Sequence, residues 1–185
     1  MPRYILIAGV NGAGKSTLYQ ALDSIHGMPR VNTDEIVRSF GRWDNESDVL
    51  KAAKQAVMMI SENMRNKVSF NQETTLCGKS IITNIQKAKQ LGYYVEIHYV
   101  GLESADIAVE RIKHRVKKGG HGIPEGDVRR RYIESLEALK KVIPICDEVV
   151  LYDNTEAFNR FAVFQNGKMV RKRKTMPQWF QKLDI

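Results

Sequence analysis

The stretch IAGVNGAGKSTL at residues 7–18 decides the fold of this chain. An apolar run ends in Gly9, and Gly14, Lys15 and Ser16 complete the pattern G-x-x-x-x-G-K-[ST]. A short apolar run that ends in glycine is typical of a buried parallel strand, and the segment after it is predicted as a helix. In that setting the backbone N–H groups of the loop point inward and cradle phosphate groups. The sequence therefore predicts a P-loop that binds a nucleoside triphosphate.

The polar residues of this loop have predicted roles. Lys15 would reach the terminal phosphates, and the Ser16 hydroxyl would ligate Mg²⁺, so ATP or GTP and Mg²⁺ are the expected cofactors. Neither an [NT]-K-x-D guanine motif nor an L-S-G-G-Q-like signature is present, which argues against a GTPase switch and a transporter-type ATPase. The residues expected to bind the nucleotide are Gly9, Asn11, Gly12, Ala13, Gly14, Lys15, Ser16, Thr17 and Asn154.

Size and composition are those of one globular domain. Of 185 residues, 43% are hydrophobic and 27% are charged, which is ordinary for a soluble protein. We expect a single domain, residues 1–185, in the cytoplasm and without a membrane partner, because no apolar run approaches the roughly 20 residues that span a bilayer. Cys77 and Cys146 lie far apart without a His/Cys cluster. Reduced thiols are therefore expected, and a disulfide or zinc site is not.

The net charge of +8 is concentrated near the C-terminal end of the chain. Residues 160–185 contain seven Lys or Arg and one acid, Asp184. The run RKRK at 171–174 is compatible with a nucleic-acid surface, but no recognition motif accompanies it. A solvated charged face is the favoured interpretation, and nucleic acid is not the expected partner.

Strands and helices are predicted to alternate along the chain, which favours a mainly parallel sheet with helices on both faces. Asn166-Gly167 between two β-like runs predicts a hairpin, and MPQWFQKL predicts a closing helical turn. The predicted fold class is α/β: a P-loop NTPase fold with a five-stranded sheet and a basic C-terminal hairpin appendage at about 159–185. Strands are predicted at 3–9, just before Asn32, at 67–75, 93–102 and 148–153, and helices at 15–24, 46–65, 79–91, 104–120 and 127–142.

The helix at 46–65 has an apolar stripe at helical spacing, and we expect this stripe to face the core. Its members are Val49, Ala53, Ala56, Val57, Ile60 and Met64.

Acidic residues follow the second and third strands, at the carboxyl edge where open α/β sheets bind ligands. Asp34 is the candidate base that orients an attacking hydroxyl, and a helix N-cap is the alternative. Glu73 would bind substrate hydroxyls or a water that ligates Mg²⁺, beside the hydroxyls of Thr74 and Thr75. For the two threonines, a β-branched strand end is the alternative interpretation.

Arginines lie on both sides of the glycine-rich loop GGHGIPEG, a pattern that indicates a lid over phosphates at about residues 115–130. Arg111 and Arg115 are four residues apart on one helical face before the loop, and Arg131 follows it. We expect these three to face the phosphates, and Arg129 and Arg130 to be solvated.

The fifth strand, EVVLYD, ends in an aspartate and allows two interpretations. Asp153 is placed like a Mg²⁺-binding aspartate, but it lies far from the P-loop in sequence. The favoured interpretation is an edge-side strand whose following turn, Asp153-Asn154, lies near the nucleotide base.

In order and spacing, the chain resembles the zeta toxin family of P-loop kinases, especially its compact predicted-ATPase branch. The resemblance covers roughly residues 3–154 and rests on GVNGAGKST, VNTDE, FNQETTLCG, GYYVEIHYVGL, RVKKGGHGIPE, RRRY and LYDN. It implies an adenylate-kinase-like fold with a lid. It also implies transfer of phosphate from ATP or GTP, with Mg²⁺, to the 3′-hydroxyl of the amino sugar of UDP-N-acetylglucosamine. Zeta-type toxins further suggest an inhibitory antitoxin protein as a partner.

The resemblance also implies roles for single residues. Lys15 would hold the donor phosphates, Asp34 would position the sugar hydroxyl, and Glu73 would be a substrate-side carboxylate. Arg111 or Arg115 would be one donor-phosphate arginine. Because the loop KKGGHGIPEG departs from the longer toxin pattern, the second donor-phosphate group would be His121 or Arg131, and His121 is a candidate substrate-binding residue.

Two classes of function stay open from the sequence. The leading one is a small-molecule kinase with an alcohol group as acceptor, acting on a nucleotide-linked sugar. The alternative is a nucleotide-dependent nucleic-acid-binding ATPase that uses the basic C-terminal segment.

Overall fold

A computed structural model describes residues 1–185. It contains seven strands and seven α-helices, together with a short 3₁₀ turn at Asp23–Ile25. The strands are β1 (Arg3–Ala8), β2 (Arg30–Val31), β3 (Phe70–Thr74), β4 (Tyr94–Gly101), β5 (Glu148–Asp153), β6 (Asn159–Gln165) and β7 (Lys168–Lys172). The helices are α1 (Lys15–Ala21), α2 (Thr33–Phe40), α3 (Glu46–Arg65), α4 (Lys79–Gln90), α5 (Ala105–Lys117), α6 (Glu125–Val142) and α7 (Gln178–Gln181).

All strands form one sheet in the order β2-β3-β1-β4-β5-β6-β7. The first five strands are parallel, as predicted, and β6 and β7 add to them antiparallel. The sheet therefore has seven strands and not five, because the C-terminal hairpin pairs with β5 and extends the same sheet. For the same reason β5 is an interior strand, and the expectation of an edge-side position for it was wrong.

Helices cover both faces of the sheet, as the alternation of elements predicted. The central strand β1 is fully buried, so its side chains alternate between two apolar layers. Tyr4 and Leu6 pack into the larger layer, with α2, α3, α4 and α6. Ile5 and Ile7 pack into the smaller layer, with α1 and α5. This double burial fixes β1, and with it the loop that follows.

The apolar stripe of α3 differs from the predicted one. The buried residues are Ala52, Ala56, Ile60 and Met64, spaced four apart, whereas Ala53 is exposed and Val57 is 64% exposed. This narrow row, together with the partly buried Met59, contacts the core, since α3 packs at the border of the sheet beside α2. Val49 is partly buried and lines a cavity near the carboxyl edge of the sheet.

The C-terminal segment extends the sheet and contributes to the core. Asn166 and Gly167, with φ of 48° and 76°, form the hairpin turn predicted from the Asn-Gly pair, since positive φ at both positions is what a type I′ turn requires. The closing turn α7 buries Trp179 against β4, where a Cβ atom on Gly101 would lie 2.1 Å from the indole ring. No helix combines the length and the apolar character that a membrane crossing requires.

Candidate active site

The P-loop joins β1 to α1 and has the backbone shape that its glycines allow. Gly9 and Gly14 have φ of 139° and 101°, and a Cβ atom on Gly9 would lie 2.4 Å from the Val100 carbonyl oxygen. Lys15 begins α1, is 8% exposed, and donates from Nζ to the Val10 carbonyl oxygen at 3.2 Å. Burial lowers the Lys15 pKa, and the charges of Glu73 and Asp34 oppose that shift.

The Ser16 hydroxyl faces the Glu73 carboxylate, with 3.3 Å from Oγ to each carboxylate oxygen. Glu73 is itself held by Arg30 at 2.8 Å and by the Asn32 amide at 3.2 Å. A hydroxyl and an oriented carboxylate are hard oxygen donors of the kind Mg²⁺ uses when substrate phosphates and water complete its shell. These residues therefore fit Mg²⁺; Ser16 would be the direct ligand, with Glu73 beside it.

Asp34 lies in the first turn of α2, at the carboxyl edge of the sheet, but it is not the cap of that helix. The N-cap is Asn32, whose Oδ1 accepts from the Asp34 backbone N–H at 3.0 Å. The N-cap alternative for Asp34 was therefore wrong, and its side chain is free for another role. That side chain is 33% exposed, and Oδ2 lies 3.8 Å from His121 Nε2.

The end of β3 supplies the neighbouring wall. Thr74 Oγ1 accepts a hydrogen bond from the Leu76 backbone N–H at 3.0 Å, so it shapes the turn after the strand. Thr75 lies beside it in the same cavity. This cavity has a volume of about 510 Å³. It brings together the P-loop, α2, β3 and α6 through Asn11, Lys15, Asp34, Glu73, Thr74, Thr75 and Arg131.

Arg111 is placed away from Asp34, on the other side of the P-loop. Its guanidinium donates to the Asn154 carbonyl oxygen at 2.6 Å, the Thr155 carbonyl oxygen at 3.2 Å and the Gly12 carbonyl oxygen at 3.4 Å. The Asn154 amide in turn donates to the Ala13 carbonyl oxygen at 2.8 Å. Arg111 thus ties the turn after β5 to the P-loop.

Asp153 has a structural role at this turn. Its Oδ1 accepts from Trp179 Nε1 at 2.9 Å and from the Thr155 hydroxyl at 2.7 Å. The carboxylate is therefore engaged by the C-terminal segment.

Arg115 and Arg131 lie on the two helices that flank the loop at residues 118–124. Arg131 lines the cavity described above, and Arg115 lines a neighbouring cavity with Trp43 and His121. Arg131 donates to Asn11 Oδ1 at 3.1 Å, directly at the P-loop. Arg115 donates from Nε to the His121 carbonyl oxygen at 3.1 Å, and its guanidinium lies 3.4 Å from His121 Nε2. Burial lowers the His121 pKa, Arg115 adds to the effect, and Asp34 opposes it. Burial and Arg115 therefore favour the neutral imidazole.

Three residues of this region were missed from the sequence. Arg30 lies 3.4 Å above the Tyr19 ring and bridges to Glu73, so it orients the carboxylate. Asn32 caps α2 and also contacts Glu73. Trp43 stacks on His121. Asn32 precedes an acidic first turn, a recognisable cap signal, whereas no local pattern predicts the contacts of Trp43.

The model of the zeta toxin family matches residues 1–171 of this chain. The chain belongs to the zeta toxin family. An uncharacterised Haemophilus influenzae protein is 34% identical over 128 residues, which are 69% of this chain and 91% of that protein.

Solved structures share the fold of this zeta toxin family member at low sequence identity. An AvrRxo1-ORF1:AvrRxo1-ORF2 structure with sulphate ions has a TM-score of 0.75 at 15% identity, over 99% of this chain and 63% of that one. The PezAT chromosomal toxin–antitoxin system of Streptococcus pneumoniae has a TM-score of 0.64 at 16% identity, over 85% of this chain and 69% of that one. The chain thus spans 63% of the AvrRxo1 chain's length. The P-loop kinase fold predicted from the sequence is confirmed.

Proposed function

We propose that this zeta toxin family member is a Mg²⁺-dependent kinase that transfers the γ-phosphoryl group of ATP or GTP to an alcohol group of a nucleotide-linked sugar. The observation that carries the proposal is the shared cavity, in which Lys15 of the P-loop and the carboxylates of Asp34 and Glu73 line one space. A P-loop alone is compatible with many nucleotide-dependent functions. The Asp34 carboxylate, which lines the same cavity as Lys15, supplies a hydrogen-bond acceptor for the hydroxyl that receives the phosphate.

The donor side is formed by the P-loop and its surroundings. Backbone N–H groups of the loop and the Lys15 ammonium bind the phosphates. The hydrogen bonds of Arg111 hold the Asn154 turn against the loop, on the side where the base would lie. Ser16, with Glu73 beside it, would hold Mg²⁺. When bound, the metal neutralises charge on the β- and γ-phosphates. An AvrRxo1 structure that shares this fold, with a TM-score of 0.65, contains ATP.

The acceptor side is formed around Asp34. Its carboxylate accepts the hydrogen bond of the attacking hydroxyl and orients that oxygen toward the γ-phosphorus. Because the transition state of phosphoryl transfer is loose, positioning and charge stabilisation matter more than early proton removal. Arg115 and Arg131 stabilise the negative charge on the moving group. His121, 3.8 Å from Asp34, serves as a hydrogen-bonding group for the substrate.

UDP-N-acetylglucosamine is the acceptor that the family resemblance favours. The polar cavity of about 510 Å³ continues into a second one of about 540 Å³, and both are lined by Asp34, Trp43 and Arg131. The second cavity also has apolar walls, at Leu50 and Ile123. The hydroxyl groups of one acceptor would therefore contact the polar cavity, and its less polar ring faces would contact the apolar walls of the second cavity.

The proposal is tested by nucleotide consumption with different acceptors. Purified protein with ATP, GTP and Mg²⁺ is supplied with UDP-N-acetylglucosamine, other UDP-sugars, RNA or DNA, and release of nucleoside diphosphate is measured. We expect stimulation by a UDP-sugar and none by nucleic acid, with loss of the signal in Lys15→Ala. Stimulation by RNA or DNA alone would instead favour the nucleic-acid-binding ATPase.

An inhibitory protein partner is part of the same proposal. The PezAT structure comes from a toxin–antitoxin system, and by analogy an antitoxin would hold this kinase inactive. Expression of the chain alone in a bacterial host should then slow growth, and expression of Asp34→Asn should not. Equal growth with both proteins would remove the toxin from the proposal while leaving the kinase assay to decide the chemistry.

A further inference from the structure

Two irregular segments meet above the candidate base. The first, residues 41–45, joins α2 to α3 and carries Trp43, and the second, residues 118–124, joins α5 to α6 and carries His121. The two rings are parallel, with centroids 4.2 Å apart and an interplanar angle of 9°. We call this pair the aromatic clasp. Asp34 Oδ2 lies 3.8 Å from the imidazole of the clasp, so the clasp closes directly over the site.

The clasp is the contact through which the two segments hold each other. No hydrogen bond or ion pair joins residues 41–45 to residues 118–124: Arg42 pairs with Asp44 inside its own segment, and His121 bonds to Arg115. In the second segment Gly119, Gly120 and Gly122 have no side chains. Ile123 packs against the smaller core layer at the end of the segment, and Arg115 holds the His121 carbonyl oxygen. A loop with few buried apolar groups opens readily. The position of the middle of this segment therefore depends on the ring stack together with the hydrogen bonds from Arg115.

His121 connects the clasp to Arg115 through hydrogen bonds. The Arg115 Nε donates to the His121 carbonyl oxygen at 3.1 Å, and the same guanidinium reaches the imidazole at 3.4 Å. Burial lowers the Arg115 pKa, and the carboxylate of Asp34 opposes that shift. When His121 is stacked on Trp43, both hydrogen-bonding atoms of His121 are fixed, and the guanidinium is held near the transfer site.

The closed clasp also contains a group that favours opening. The Trp43 indole Nε1 is buried and has no hydrogen-bond partner. A buried donor without a partner loses the hydration that it has in the open state. The stack favours the closed state, and the unpaired donor opposes it. This balance suits a segment that must admit substrate and then close.

We propose that Trp43 is a positioning residue that closes the lid segment, residues 118–124, over Asp34 and thereby fixes Arg115 for phosphoryl transfer. The expected effect on phosphoryl transfer rests on the proposed kinase function, whereas the expected order of the lid segment does not. The first half predicts an ordered lid segment in the protein without substrate, and the second half predicts a slower chemical step when the clasp is lost.

Hydrogen exchange of the lid segment, followed by mass spectrometry, tests the structural half without any substrate. In Trp43→Ala we expect exchange at residues 118–124 to be about three- to tenfold faster than in the unmodified protein, as loss of an aromatic stack would give. Trp43→Phe keeps a ring for His121 and removes the unpaired N–H, so its exchange should equal or fall below that of the unmodified protein. His121→Ala, a change in a surface loop, should match Trp43→Ala and replaces it if that variant does not fold.

Kinetics of ATP turnover with Mg²⁺ test the functional half on the same variants. We expect kcat to fall about tenfold in Trp43→Ala while KM for ATP stays within about twofold, with recovery in Trp43→Phe. Unchanged exchange at 118–124 in both Trp43→Ala and His121→Ala would overturn the clasp. Faster exchange without loss of kcat would overturn the positioning role. If the unmodified protein turns over no nucleotide, the proposed function fails, and exchange alone still decides whether the clasp exists.

Discussion

Replacing Asp34 with asparagine should slow phosphoryl transfer strongly and lower the folding stability only slightly. The carboxylate accepts no hydrogen bond within the protein, and its near neighbour is the His121 ring at 3.8 Å. The cap of α2 is Asn32 and is untouched by the substitution. Folding loses a negative charge in the first turn of a helix, worth about 0.3–1 kcal/mol, and the attraction of that charge to Lys15 and Arg115. For a chain of this size each kcal/mol lost lowers the melting temperature by about 2–4 °C, so a small fall is expected.

The loss in rate should be much larger. Orientation of the acceptor hydroxyl by a carboxylate contributes about 10²- to 10⁴-fold, which is roughly 3–5 kcal/mol of barrier. Asparagine keeps the size of the side chain but brings no charge. Binding of the nucleotide to the P-loop should persist, since Lys15 and the backbone N–H groups of the loop are unchanged. Transfer should therefore fall by at least about a hundredfold with little change in nucleotide affinity.

The assay measures nucleotide affinity, phosphoryl transfer and melting temperature on one preparation of Asp34→Asn. Asp44→Asn is the matched control: it makes the same chemical change nearby, on a side chain that is 67% exposed and paired with Arg42. The control should leave transfer within about twofold of the unmodified protein, as surface substitutions usually do. Transfer by Asp34→Asn at the rate of the control, per folded molecule, would refute the role of Asp34.

Three other substitutions test the donor site, a buried charge pair and the C-terminal packing. Lys15→Ala should abolish nucleotide turnover without unfolding the protein, because the loop loses its lysine charge on the transferring group; turnover near the original rate would contradict this. Although burial opposes it, hydrogen bonds from His98 and Arg3 lower the Glu96 pKa. The stability that the Glu96 carboxylate adds is thus fully present when the pH is above the ordinary pKa of a glutamate. It is lost as the pH falls through the lowered pKa of the folded protein. Melting curves should show a smaller acid loss in Glu96→Gln. Gly101→Ala should cost about 1–3 kcal/mol in urea unfolding, since its Cβ would overlap the Trp179 ring.

The sequence predicted the elements of the fold that depend on residues close together in the chain. The P-loop, the five parallel strands and the Asn166-Gly167 turn follow from short-range rules about glycine, apolar runs and positive φ. The α3 stripe failed because Val57 is apolar and correctly spaced, yet a border helix buries only one narrow row. Which face of a helix is buried depends on the elements that pack against it, and no local sequence pattern identifies those elements.

Contacts between distant loops account for what was missed at the site. Trp43 and His121 lie 78 positions apart in irregular segments, and neither position follows a strand or helix period. Arg111 and Arg115 share a helical face, as predicted, but one turn of helix sends the first to the Asn154 turn and the second toward Asp34. Which arginine faces which ligand depends on the helix axis, and therefore on tertiary packing.

Transfer of labelled phosphate from ATP into a metabolite tests the kinase proposal most directly. A metabolite extract is incubated with the protein, Mg²⁺ and γ-labelled ATP, and the products are separated and identified by mass spectrometry. We expect the label in a phosphate ester of a nucleotide-linked sugar, first among them UDP-N-acetylglucosamine, and its absence with Lys15→Ala. Label found solely in inorganic phosphate, from a protein that still hydrolyses ATP, would contradict the transfer of phosphate to an alcohol group.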